Sequence, residues 1–117
     1  MNDDMFLMNL LYDFYGSLLT DKQREIFEMY YFNDYSLGEI SEILDISRQG
    51  VYDTLKRAES SLEFFEDKLN LLKKHNEIKL KIDNIRNILL EIKPYIIDPD
   101  AEKKFIKVLK NLSDLNP

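Results

Sequence analysis

Apolar residues recur every three or four positions along most of the chain, and this spacing predicts a protein built of helices. The stretch with Val51, Leu55, Ala58 and Leu62 shows the spacing most clearly. The 117 residues include only three glycines and three prolines, so the turn and bulge signals that a many-stranded β-fold needs are scarce. We therefore expect an all-α fold.

Polar side chains that cap helix N-termini mark where the predicted helices begin. Thr20, Ser36, Ser47 and Asp98 each stand immediately before an apolar stripe. Glu39 follows Ser36 by three residues, which is the spacing of a capping box. Each of the four capping residues is therefore expected to begin a helix.

Each apolar stripe also predicts which side of its helix is buried. The expected inward-facing residues are Phe6, Leu10, Phe14 and Leu18 in a first helix; Ile26, Phe27, Tyr30 and Tyr31 in a second; Leu37, Ile40, Ile43 and Leu44 in a third; and Phe105, Val108, Leu109 and Leu112 in the last. A series of aromatic residues is interpreted as core packing: Tyr12, Phe14, Tyr15, Phe27, Tyr30, Tyr31, Phe32 and Tyr35. Stacking on single-stranded nucleic acid is the alternative interpretation.

Residues 55–92 carry two apolar stripes, which belong either to one bent helix or to two helices. The run 73–76 interrupts the spacing between them. Residues 78–82 alternate in a way that suits a strand, but the longer stripe from Ile78 to Ile92 favours a helix. Such stripes either pack within the chain as an antiparallel pair or form a coiled coil with a second copy. We expect a homodimer.

The net charge of −6 is unevenly distributed along the chain. Residues 1–69 hold 15 acidic and 6 basic residues, whereas residues 70–117 hold 7 acidic and 10 basic ones. We expect these halves to be a helical domain (1–69) and a helical extension or dimerisation region (70–117). The acidic balance argues against tight non-specific binding of DNA. The C-terminal lysines either face RNA or phosphate, or form the solvated sides of amphipathic helices.

The sequence lacks the signals that mark several other classes of protein. There is no cysteine, no apolar run near the roughly 20 residues of a membrane span, and no basic residue before position 16 to suit a secretory signal. His75 is the only histidine, and no phosphate-binding or dinucleotide-binding loop motif occurs. We therefore expect a cytoplasmic protein without membrane association that is not an enzyme and has no small-molecule substrate, cofactor or metal.

The most informative stretch is Ser36–Glu59, SLGEISEILDISRQGVYDTLKRAE, which predicts a helix-turn-helix. One apolar seam is expected to hold its two short helices at a steep angle, and it consists of Ile40, Leu44, Ile46, Val51 and Leu55. Ser41 is small where the two helices cross. This arrangement leaves the first turn of the second helix projecting outward, as recognition in a DNA major groove requires.

Residues 19–59 resemble region four of bacterial sigma factors. The likeness includes SLGEISEILDIS at Ser36–Ser47 and RQGVYDTLKRA at Arg48–Ala58, which match the first helix with its turn and the recognition helix. The resemblance implies a sigma region four-like helix-turn-helix domain that binds duplex DNA. The residues after it would then be a C-terminal helical extension.

A longer set of segments is similar to the YlxM family of small bacterial helix-turn-helix proteins. The segments LYDFYGSLLTDKQ, YYFNDYSLGEISE and SRQGVYDTLKRAE occur in this order in a chain of this length. The resemblance implies a DNA-binding regulatory protein. It also implies an alternative: a non-catalytic accessory of the signal recognition particle pathway, which would contact the particle's GTPase subunit or its RNA.

Five residues of the predicted recognition helix form the candidate nucleic-acid-binding site: Arg48, Gln49, Tyr52, Lys56 and Arg57. Arginine suits guanine and glutamine suits adenine in the major groove. Asp53 lies among these residues, where it would repel phosphates. Asp45 stands in the turn at a position often held by glycine, and aspartate tolerates a left-handed backbone. The alternative is a solvated helix face on a fold that is reused for protein contacts.

Overall fold

A computed structural model describes residues 3–115, which fold into α-helices joined by short turns and 3-10 segments. The helices are α1 (Asp3–Tyr15), α2 (Asp21–Tyr31), α3 (Leu37–Leu44), α4 (Arg48–Leu69), α5 (Leu71–Ile92) and α6 (Pro99–Asp114), and the 3-10 segments are Gly16–Leu18 and Lys93–Tyr95. Residues 3–115 contain no strand, which confirms the all-α prediction. Over the same residues, no helix combines the length and the apolar character needed to cross a bilayer.

The four predicted helix starts are confirmed by hydrogen bonds of their side chains. The side-chain oxygens of Thr20, Ser36, Ser47 and Asp98 each accept a hydrogen bond from the backbone N–H three residues further on. At Ser36 the carboxylate of Glu39 also accepts the backbone N–H, which completes the capping box and lowers the pKa of that carboxyl. Local sequence signals therefore determine where these helices begin.

The chain divides into two compact units, the first reaching Leu72 and the second beginning at Lys73. In the first unit, α4 packs against α1, α2 and α3. The core residues of this unit are Met8, Leu11, Tyr15, Leu19, Ile26, Phe27, Ile40, Val51, Leu55, Ala58, Leu62 and Leu72. One side of α4 is thus covered by three helices, and this side defines the core.

The second unit contains most of α5, the second 3-10 segment and α6. Among the described residues of this unit, the buried apolar ones are Ile82, Phe105 and Leu112. Many other large apolar side chains of the described part of this unit remain exposed, including Tyr95 and Ile97 at 84% and 90%. Its role as a dimerisation region stays a prediction.

Residues 55–92 form two helices that meet at Asn70. This residue caps α4 with a left-handed backbone at φ 56° and ψ 32°, and α5 begins at the next residue. Asparagine is second only to glycine in tolerating this conformation at the end of a helix. The run 73–76, expected to interrupt the helical spacing, lies inside α5.

Two side chains from distant parts of the first unit cap the start of α5. The buried Tyr15 hydroxyl donates to Oε1 of Glu66 at 2.6 Å and accepts the N–H of Leu71 at 3.0 Å. Glu66 Oε1 also accepts the N–H of Leu72 at 3.0 Å. Burial, together with the hydrogen bond to Glu66, raises the pKa of the Tyr15 hydroxyl. Tyr15 and Glu66 therefore tie α1, α4 and the first turn of α5 together.

Several predicted buried faces are wrong in detail. Phe6 and Leu18 are 45% and 55% exposed, and Met8, Leu11 and Leu19 are buried instead. The first helix carries apolar residues on most sides, so their spacing does not select one face, and packing against α4 decides. Two further residues predicted to be buried are exposed, Ile43 and Val108.

The aromatic residues of the first unit pack mainly on one another, as the core interpretation predicted. Phe27 is fully buried and stacks on Tyr12 and Tyr31, with ring centroids 4.7 Å and 4.3 Å apart. The hydroxyl of Tyr12 donates to Glu28 at the edge of this stack. Phe32 and Tyr35 lie further out and are exposed.

Replacing Tyr15 by phenylalanine keeps the ring in the core and removes the hydroxyl. We expect the free energy of unfolding to fall by about 1–3 kcal/mol, because the Leu71 N–H and the Glu66 carboxylate lose a shared partner. Chemical denaturation followed by circular dichroism measures this change. Tyr95→Phe, at an exposed position, is the matched control and should change stability by less than about 0.5 kcal/mol. Equal stability of Tyr15→Phe and wild type would contradict the proposed cap.

Candidate nucleic-acid interface

The turn between α3 and α4 is held closed by Ser41. Asp45 caps α3 in the left-handed conformation, at φ 54° and ψ 47°, as its residue type allows. The Ser41 carbonyl accepts the N–H of Asp45 and that of Ile46, the latter at 3.2 Å. The Ser41 hydroxyl donates back to the Ile46 carbonyl at 2.6 Å. Ser41 thus supplies hydrogen bonds as well as the small size expected of it.

The predicted apolar seam between α3 and α4 is confirmed. Ile40 and Val51 are completely buried and Leu55 is 4% exposed. Leu44 and Ile46 are partly buried and pack against the same core. These buried side chains therefore hold α3 and α4 together, and the opposite side of α4 faces outward.

The first turn of α4 presents Arg48 and Gln49 on the surface, as expected of a recognition helix. Both residues are exposed, directly after the capping residue Ser47. The Ser47 hydroxyl oxygen accepts the N–H of Gly50 at 2.9 Å. A Cβ atom at Gly50 would lie 3.1 Å from that oxygen, so glycine allows the cap to close tightly.

Asp53 contacts Gln49, a pairing beyond those predicted from the sequence. The Gln49 side-chain amide donates to Asp53 Oδ1 at 2.9 Å. Glutamine and aspartate four residues apart on a helix commonly pair in this way, so the spacing was the available signal. Asp53 orients Gln49 and also places a negative charge beside it.

The candidate residues further along α4 form a second group around Lys56. Its ammonium nitrogen lies 5.6 Å from the Tyr52 ring centroid and 3.2 Å from Glu59 Oε1. The hydrogen bond to Glu59 raises the pKa of Lys56. Glu59 also accepts the hydroxyl of Tyr31, which links α4 to α2. Lys56 therefore keeps its charge, but Glu59 neutralises part of it locally.

Helical geometry brings four of the five candidate residues together. Arg48, Tyr52 and Lys56 follow one another at intervals of four residues, and Gln49 lies beside them. Arg57 is exposed but is turned about 100° further around the helix than Lys56. The structure thus offers a short basic and amide-bearing strip at the start of α4, interrupted by Asp53.

A family model described as "Putative helix-turn-helix protein, YlxM / p13 like" matches residues 2–106. This match covers the whole helix-turn-helix and most of the second unit. The chain belongs to the UPF0122 family. Membership confirms the resemblance to YlxM proteins, and it agrees with the paired helices α3 and α4. The finer likeness to sigma region four stays a prediction.

Relatives of this UPF0122 chain match it over much or all of its length. The UPF0122 protein of Thermoanaerobacter pseudethanolicus is 64% identical over 117 residues, covering all of both chains. That of Halalkalibacterium halodurans is 42% identical over 115 residues, or 98% of this chain and 99% of the relative. That of Bacillus mycoides is 52% identical over 84 residues, or 72% and 76% of the two chains.

Two partly buried tyrosines, Tyr12 and Tyr31, have raised hydroxyl pKa values, which predict how the stability of this UPF0122 chain depends on pH. Burial and the bond to Glu59 raise the pKa of Tyr31, and burial with Glu28 raises that of Tyr12 to about 12. Above the ordinary tyrosine pKa of 10.0 the unfolded chain releases protons that the folded protein retains. The stabilisation is therefore complete below pH 10 and is lost as the pH rises towards 12.

We expect the free energy of unfolding to decline between pH 10 and pH 12, and to decline less steeply in Tyr31→Phe. Urea denaturation at fixed pH intervals measures both slopes, each relative to the same protein at pH 8. Tyr95→Phe, whose ring is exposed, should follow the wild-type slope. Identical slopes for wild type and Tyr31→Phe would refute this linkage.

Proposed function

We propose that this chain is a non-catalytic regulatory protein that binds duplex DNA through the first three turns of α4. One observation carries the proposal: the seam of Ile40, Val51 and Leu55 is buried, while Arg48 and Gln49 are exposed at the start of α4. Recognition helices enter the major groove with their N-terminal residues against the base edges. Membership of a helix-turn-helix family supports the same function.

The two residues at the start of α4 have the chemistry for reading bases. The guanidinium of Arg48 matches the paired acceptors of guanine, and the amide of Gln49 matches adenine. Gln49 has to give up its hydrogen bond to Asp53 to reach a base with both amide atoms. Tyr52, Lys56 and Arg57 suit contacts to phosphate and sugar, which set the register of the helix on the duplex.

The acidic surroundings predict binding that depends on base contacts and only weakly on general attraction to phosphate. Lys56 and Arg57 are the two cations assigned to phosphate, whereas the residues up to 69 carry 15 acidic side chains. Neutralising two phosphates gives a slope of roughly −2 in log affinity against log salt concentration. Binding should therefore be selective for sequence and modest in its salt dependence.

Fluorescence anisotropy tests the proposal after selection of a preferred site from a pool of random duplexes. We expect wild type to enrich a short site, and Arg48→Ala to lower affinity for that site about tenfold or more, since one bidentate base contact contributes about 1–3 kcal/mol. Lys110→Ala removes the same charge from α6 and should leave affinity within about twofold. A salt series on the selected duplex measures the slope.

Two results would contradict DNA binding by α4. One is equal affinity of wild type and Arg48→Ala for the selected duplex. The other is no duplex binding near physiological salt, combined with association to the signal recognition particle's GTPase subunit or its RNA in the same buffer. The second result would favour the accessory function, in which the basic residues after position 69 meet RNA or the acidic first half meets a basic protein surface.

A further inference from the structure

An open groove runs along one side of α4 in the first unit. It encloses about 790 Å³ between α4, α1 and α2. Its apolar lining includes the buried Met8, Leu11 and Leu55, which form its floor, and the exposed Leu7. The acidic side chains lining it are Asp4, Glu59, Glu63, Glu66 and Asp67, against a single lysine, Lys56. We call this feature the acidic groove.

The acidic side chains of this groove differ in their hydrogen bonding and exposure. Glu59 and Glu66 accept the hydroxyls of Tyr31 and Tyr15 and so belong to the packing of the first unit. Glu63 and Asp67 are exposed, one turn apart on α4. Their carboxylates therefore give the groove an acidic rim above an apolar floor, which suits a basic amphipathic helix.

The second unit exposes an apolar stripe along α5. Ile78, Ile85 and Ile92 are spaced seven residues apart and are 50%, 47% and 44% exposed. Ile88 lies beside them and is 49% exposed. A seven-residue spacing places these side chains on one side of the helix, as in the seam of a coiled coil. We call these four residues the α5 stripe.

Two lysines lie within the α5 stripe. Lys74 and Lys81 precede Ile88 at intervals of seven residues, so they share its side of the helix, next to Ile78 and Ile85. Lys79 and Arg86 lie beyond the buried Ile82, and Glu77 and Glu91 lie on the far side of Ile88. Pairing of two α5 stripes would place Lys74 and Lys81 of both copies in one contact, which favours an acidic partner surface instead.

We propose that two copies of this chain associate through unlike surfaces, with the α5 stripe of each copy seated in the acidic groove of the other. The two surfaces complement each other in apolar character and in charge. The same asymmetry is visible in the whole chain, since residues 1–69 hold nine more acids than bases and residues 70–117 hold three more bases than acids. A two-fold axis makes both contacts equivalent and closes the assembly at a dimer.

Sedimentation equilibrium at micromolar concentration tests this dimer with reversed charges. A groove variant, Glu63→Lys with Asp67→Lys, and a stripe variant, Lys74→Glu with Lys81→Glu, each set like charges against each other in both contacts. We expect wild type to be a dimer. Each variant alone should have a dimer dissociation constant at least about tenfold higher than that of wild type. In an equimolar mixture of the two variants, every contact pairs opposite charges again, so we expect a heterodimer.

Two control variants carry the same charge changes elsewhere on exposed positions: Asp13→Lys with Glu42→Lys, and Lys103→Glu with Lys107→Glu. Both should remain dimers, and circular dichroism should show native helicity in all four variants. A monomeric wild type would overturn the proposal. Variants that dimerise alone as wild type does, or that stay monomeric when mixed, would also overturn it.

Discussion

The burial of one side of α4 is the interaction on which the rest of the first unit depends. Val51, Ala58 and Leu62 are completely enclosed, and α1, α2 and α3 each pack against this helix. At about 25 cal/mol per Å² of apolar surface removed from water, such burial is the main driving force for assembling three helices on a fourth. The orientation of α4 follows from it, and so does the identity of the residues on its outer side.

That outer side carries two different surfaces that share an edge. Arg48 and Gln49 mark the proposed DNA-binding strip, whereas Glu63 and Asp67 mark the acidic groove. Tyr52 and Lys56 belong to the strip by position and also line the groove. A single helix thus presents cations at its start and acids roughly four to five turns later. The two proposals can be tested separately because their decisive residues differ.

The features predictable from sequence were those with a local cause. Ser36 and Ser47 cap helices through residues three positions away, and Asp45 takes the left-handed conformation that its type tolerates. The contact between Tyr15 and Glu66 joins residues 51 positions apart, and no local pattern signals it. The buried side of α1 was misjudged for the same reason, because α4 selects it. Among candidate site residues, exposure was predictable, whereas the pairing of Gln49 with Asp53 was overlooked.

Thiol labelling tests the central claim, the arrangement of α3 and α4, most directly, because the natural chain contains no cysteine. Single variants Gln49→Cys and Val51→Cys place one thiol on the outer side of α4 and one in the seam. We predict that Gln49→Cys reacts as fast as an unfolded peptide. Val51→Cys should react at least about a hundredfold more slowly, since the seam must open first. Equal, fast labelling at both positions would contradict the account.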